Sequence, residues 1–143
     1  MSTDKQSLDW YNKNAQAYKD HVKNPQEAVY HAYYEKPAMY SLVPDVKSRK
    51  VISLGSGTGE DASHLKTLGA EEALGVDISP EMVRIAKESH PECRFEVMDM
   101  ERVLTQASRL DANFFFDPSG KPFTGAAASV RTAGIWIGPE GGW

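Results

Sequence analysis

A chain of 143 residues, 41% hydrophobic and 25% charged, is long enough for one soluble domain with its own core. A net charge of -4 and a pI near 5.5 exclude the global electrostatic footprint of an indiscriminate nucleic-acid binder, although a local basic patch stays open. The single cysteine, Cys93, excludes an intrachain disulfide and any metal site of paired-cysteine spacing.

The N-terminus lacks a basic-then-apolar signal, and no apolar run approaches the ~20 residues that cross a bilayer, so a cytoplasmic protein is expected. Residues 4–21 are polar with aromatics at Trp10, Tyr11 and Tyr18. Tyr11 and Tyr18 fall two turns apart on one face, which predicts a leading helix whose tyrosines either pack in the core or cover a ligand. A second helical stretch, 27–42, carries Tyr30, Tyr33, Tyr34, Met39 and Leu42 toward the core and is bent or split at Pro37.

Residues 50–54 read as a buried strand, and 60–68 as a helix with Ala62, Leu65 and Leu68 on one side and Gly69 as its stop. Residues 73–77 form the next strand. Ser79-Pro80-Glu81 then starts a helix with a capping hydroxyl, a proline at the first position and an acid against the dipole. That helix turns Met82, Ile85 and Ala86 inward and ends before Pro91. A third strand, 94–98, alternates around Phe95 and Val97, with Cys93 as a small apolar strand residue, and closes at Asp99.

Strands alternating with helices imply a parallel sheet with right-handed crossovers, whose ligands bind beyond the carboxyl ends of the strands. Gly55, Gly57, Gly59, Asp77 and Asp99 all fall at that edge. Glycines spaced two apart after a strand, with an acid about 20 residues on, also fit a dinucleotide fingerprint. That fingerprint wants a small residue where Glu60 stands, and an anionic side chain there repels a pyrophosphate while tolerating a sulfonium and an amino group.

With these residues the sequence resembles the class I S-adenosylmethionine-dependent methyltransferases over residues 8–101, including a leading Tyr-x-x-x-Ala-x-x-Tyr helix matched by Tyr11, Ala15 and Tyr18. The resemblance implies that Gly55, Gly57 and Gly59 line the methionine and ribose part of S-adenosylmethionine. By the same likeness Asp77 binds the ribose hydroxyls, Ile78 packs on adenine, and Asp99 accepts from the adenine amino group beside Met100. Tyr11 and Tyr18 join the cofactor-binding set. The family usually has an acid where Ser53 stands, so the contact to the ligand's amino group is either weakened or passed to Glu60. His21, His31, Glu35 and the tyrosines are candidates for the acceptor side, but the sequence assigns no catalytic residue and no metal ligand.

From about Leu104 the composition shifts to Phe, Gly, Ala and Pro. Phe114 to Phe116 and 133–137 read as strands, and the chain ends in Gly138-Pro139-Glu140-Gly141-Gly142-Trp143. This tail resembles the middle of the knotted SPOUT-type domain of enzymes that methylate a uridine base of small-subunit ribosomal RNA. The likeness implies a ligand role for Gly138, Glu140, Gly141 and Gly142; the alternative is two strands that complete the sheet without touching ligand.

The expected architecture is therefore α/β, a Rossmann-like three-layer parallel sheet truncated after its third strand, with a short two-strand tail. Residues 1–103 form a partial cofactor-binding domain and 104–143 a SPOUT-like segment, as in a fragment or a fused reading frame. The leading functional expectation is an S-adenosylmethionine-dependent methyltransferase acting on a small molecule. The alternatives are a SPOUT-type RNA uridine methyltransferase, with RNA as partner through the tail alone, and a non-catalytic cofactor-binding or inert fragment. A sheet edge left bare would favour dimerisation or aggregation.

Overall fold

Leu54, Asp77 and Val97, the last residues of three parallel strands, lie side by side at one sheet edge. The strands are β1 (Lys50–Leu54), β2 (Glu72–Asp77) and β3 (Arg94–Val97), in spatial order β1-β2-β3. The computed structural model describes residues 5–99, 102–103, 112–116 and 133–137, the last two segments as backbone alone. Register runs Val51 opposite Ala73 and Ser53 opposite Gly75, then Gly75 opposite Phe95 and Asp77 opposite Val97.

Each crossover is a helix: α3 (Glu60–Thr67) between β1 and β2, and α4 (Pro80–Ser89) between β2 and β3. Because the chain steps the same way along the sheet twice, right-handed crossovers bring both helices to one face. There Val51, Ala73 and Phe95 pack with Ala62 and Leu65 of α3 and Val83 and Ala86 of α4. The opposite face presents Ile52, Leu54, Leu74 and Val76, against which Val103 and Met98 pack. Ahead of the sheet, α1 (Lys5–Lys23) lies on α4, joining Ala15 and Tyr18 to Met82 and Ile85.

Residues 27–42 depart from the expected bent helix buried on its tyrosine side. A π-helical turn (His31–Glu35) runs directly into α2 (Lys36–Ser41), with Pro37 in the first turn of α2. A π turn takes in one extra residue and so rotates the next stretch of helix by about 100°. Tyr30 precedes that turn and Tyr33 and Tyr34 lie within it; all three are on the surface, 64–71% exposed, with Tyr30 stacked on Tyr34, while Ala28 and Met39 supply the core. Leu42 is also exposed.

Three smaller expectations are corrected. Leu68 comes after the last turn of α3 and is exposed rather than inward. Val97 is exposed because it lies at the carboxyl edge, beyond the helix cover that buries Phe95. Cys93 precedes β3 and packs half-buried against the core, where burial pushes its thiol pKa up.

Two further strands, β4 (Ala112–Phe116) and β5 (Ala133–Ile137), pair in parallel with Phe114 opposite Ile135. Cα atoms of β5 come within 8 Å of β1. The β4 and β5 strands form a two-stranded sheet of their own, separate from β1-β2-β3. Among the described residues no helix is long and apolar enough to cross a membrane.

Candidate cofactor-binding site

The loop from Gly55 to Gly59 leaves β1 at the carboxyl edge and turns directly into α3. Its three glycines have φ of 61°, 51° and 96°, the left-handed region that an L side chain adopts only with strain. The Ser56 N–H donates to Val76 O at 3.0 Å, so the loop begins by extending the β1–β2 ladder, and the Gly59 N–H closes it onto Ser56 O at 2.9 Å. Gly59 is also held by space: a Cβ there would stand 2.8 Å from Phe95 Cζ and 3.0 Å from His90 Cδ2.

Asp77 ties the loop to the end of β2. Its Oδ2 accepts from the Gly57 N–H at 2.9 Å and its Oδ1 from the Ser79 N–H at 2.8 Å. Burial raises the carboxyl pKa, and the backbone N–H groups of Ser79, Gly57 and, to the smallest extent, Ile78 oppose that rise. A carboxylate has about four lone-pair positions, so each oxygen keeps capacity for one more donor. The Ser79 hydroxyl caps α4 by accepting from the Met82 N–H at 3.2 Å. It also donates to Asn12 Oδ1 of α1 at 2.6 Å.

The structure brings Gly55, Gly57, Gly59, Asp77 and Tyr18 together. The Tyr18 ring approaches the loop, with its Cε1 3.9 Å from where a Gly57 Cβ would be. Ile78 and Asp99 lie just past β2 and β3 at the same edge, both half-buried. Tyr11 is 40% exposed and packs edge-to-face on Trp10, so the contact described for it is with its neighbour rather than with the loop. Met100 lies outside the described residues, as do Gly138, Glu140, Gly141 and Gly142.

Asn12 was not singled out by sequence reasoning, and no local pattern announces a partner 67 residues away. Phe95 was assigned to the core without its second task. It packs beneath Gly59 and across Gly75, where a Cβ would come within 2.4 Å of its ring. A glycine inside a strand is the signal that could have revealed this close approach. A third group ties α2 to α3: Lys36 Nζ lies 2.7 and 2.8 Å from the Asp61 oxygens, and the Tyr40 hydroxyl donates to Asp61 Oδ1 at 2.6 Å. Tyr40 stacks on His64 at 3.7 Å between ring centroids. Its phenol pKa is raised, first by burial and then by the charges of Asp61, Glu60 and Glu35. Among the described residues no group of three or more His, Cys, Asp or Glu side chains is placed to hold a metal ion.

A three-stranded parallel sheet with a glycine loop and a half-buried acid at its carboxyl edge is a truncated Rossmann-like α/β architecture. A methyltransferase domain family matches residues 51–122, just over half of the chain, and the chain belongs to that family. An uncharacterized protein of Haemophilus influenzae is 37% identical over 59 residues, which make up 41% of this chain and 23% of that relative. The match covers only 23% and 27% of the two curated relatives' lengths, so the chain spans about a quarter of each.

Among solved structures, the magnesium protoporphyrin IX methyltransferase of Synechocystis PCC 6803, with bound S-adenosylhomocysteine, superposes with a TM-score of 0.54. It is 22% identical, over 66% of this chain and 50% of that one. Phosphoethanolamine N-methyltransferase 1 of Haemonchus contortus gives 0.56 at 17% identity, over 77% and 24%. At these identities both show the shared fold.

S-adenosylmethionine is the cofactor expected of this family. A Cβ built on Gly55 meets no heavy atom within 4 Å, so the protein leaves the backbone there uncovered. The spare acceptor positions of Asp77 match a pair of hydroxyl donors, as on a ribose. The donor set therefore fits the group.

Proposed function

We propose that the chain binds S-adenosylmethionine at the Gly55–Gly59 loop and serves methyl transfer to a small-molecule acceptor. The observation that carries this reading is the Asp77 carboxylate, half-buried at the end of β2, fixed by the Gly57 and Ser79 N–H groups, and still able to accept two hydroxyls. S-adenosylmethionine, when bound, supplies a methyl group on a cationic sulfur that an acceptor lone pair takes by direct displacement.

The chain's own residues bind and orient. Asp77 holds the ribose, the bare backbone at Gly55 and Gly57 lets the ligand approach, and Tyr18 closes one side. Ile78 and Asp99 are assigned to the adenine, Asp99 as acceptor for its amino group. Alignment and exclusion of water then supply most of the acceleration. A base is needed only for an acceptor that must lose a proton. His21, His31, Glu35 and the tyrosines are the candidates for that task.

Calorimetric titration of the chain with S-adenosylhomocysteine tests this reading, with Asp77→Ala and Glu140→Ala as companions. Micromolar binding lost in Asp77→Ala and kept in Glu140→Ala is the expected result. Binding lost in Glu140→Ala and kept in Asp77→Ala would move the cofactor to the tail loop, as the SPOUT likeness implies, and refute the proposal.

A further inference from the structure

Glu60 is the first residue of α3, directly after the glycine loop. Its Oε2 accepts from the Thr58 hydroxyl at 2.7 Å, and Thr58 is fully buried, so this bond fixes the direction of the carboxylate. The other oxygen, Oε1, is buried and has no hydrogen-bond partner among the described residues. A buried charged acceptor with no donor carries a desolvation cost that a native site ordinarily relieves.

The neighbouring donors are already committed. Lys36 spans both oxygens of Asp61, and the Tyr40 hydroxyl is spent on Asp61 Oδ1. Of the two carboxylates in the first turn of α3, Asp61 is neutralised by the protein, whereas Glu60, next to the glycine loop in sequence, keeps one oxygen unpartnered among the described residues. At the end of β1 the buried side chains are Ser53 and Leu54, so no carboxylate is supplied from that strand end.

We infer that Glu60 Oε1 accepts a hydrogen bond from the α-ammonium group of the bound cofactor and is its counter-charge in this chain. The inference rests on the cofactor reading above. The choice of group comes from hydrogen-bond chemistry: a sulfonium has no proton to donate, whereas the ammonium has three and carries the charge that Glu60 lacks a partner for.

The test compares S-adenosylhomocysteine with its deaminated analogue, in which hydrogen replaces the amino group, by calorimetry on the whole chain and its variants. The native chain is expected to prefer the amino-bearing ligand by about 10-fold to 100-fold, the range for a hydrogen bond between charged groups. In Glu60→Gln, which keeps the shape and the acceptor for Thr58, the preference should fall below about threefold while affinity for the deaminated analogue persists. Glu60→Asp should retain part of the preference.

A preference unchanged in Glu60→Gln would overturn the assignment and leave the cofactor reading standing. Equal loss of both ligands in that variant would make Glu60 a structural part of the loop and overturn it as well. Failure of the native chain to bind either ligand would remove the cofactor reading itself, and this inference with it.

Discussion

Gly75→Ala is the perturbation that best tests how the sheet supports the loop. The added methyl would stand 2.4 Å from Phe95 Cδ1, 2.6 Å from Phe95 Cε1 and 2.8 Å from Ser56 Oγ. Carbon atoms in good contact stand about 3.5–4.0 Å apart, so the ring must withdraw by about 1 Å. Its far side is confined by Gly59, where a Cβ would lie 2.8 Å from Phe95 Cζ, so the displacement is passed to the loop. Overpacking of this kind costs about 1–3 kcal/mol.

For a chain of 143 residues an unfolding entropy near 2.1 cal/mol/K per residue converts that into a Tm lower by about 3–10 °C. Phe95→Leu alone leaves a void and costs about 1–2 kcal/mol, yet it frees the space the methyl needs. Thermal and urea unfolding of the two single variants and the double variant should give a double that is less destabilised than the sum by at least about 1 kcal/mol. Additive losses, or a Gly75→Ala chain with unchanged Tm, would refute the packing of Phe95 under the glycine loop.

The same geometry sets two other outcomes. Ser79→Ala removes both the cap on Met82 N and the hydroxyl donated to Asn12, and should cost about 1–2 kcal/mol in urea unfolding, with Asn12→Ala adding little on that background. Asp77 has a pKa raised by burial, so its contribution to the stability of the free chain is present below the ordinary carboxylate value, about 3.9, and is lost as pH rises through the raised folded value. Binding of S-adenosylhomocysteine should tighten over that same window, because the ionised carboxylate accepts both ribose hydroxyls. Asp77→Asn should flatten both profiles, and an affinity that stays level with pH in the native chain would contradict the role given to Asp77.

The strands and crossover helices were legible because their signals are local. Ser79-Pro80-Glu81 starts α4, with the capping bond from Met82 N in place. The short apolar runs around Val51 and Val76 became neighbouring parallel strands. The glycine loop and Asp77 were legible for a different reason: parallel topology forces the ends of successive strands to one edge, so two motifs 20 residues apart in sequence had to meet. What escaped was tertiary. Tyr30, Tyr33 and Tyr34 face outward at and just before a π turn although their spacing suits a buried face. The partners of Asn12, Asp61 and Phe95 lie on other elements, where no periodicity points.

Ligand chemistry at this edge is set by which polar groups the fold leaves unfinished. Asp61 is completed by Lys36 and Tyr40 and so works as a joint between α2 and α3. Asp77 is half completed by two backbone N–H groups, enough to fix its direction while keeping acceptor capacity for a diol. Glu60 is completed on one oxygen only. The three acids therefore differ in function by their number of satisfied positions rather than by residue type. The two that remain open flank a loop whose backbone amides are partly consumed by the protein itself. A ligand suited to that edge brings hydroxyl donors toward Asp77 and an ammonium toward Glu60, which is the donor pattern of a nucleoside joined to an amino acid and the opposite of a dinucleotide's anionic bridge.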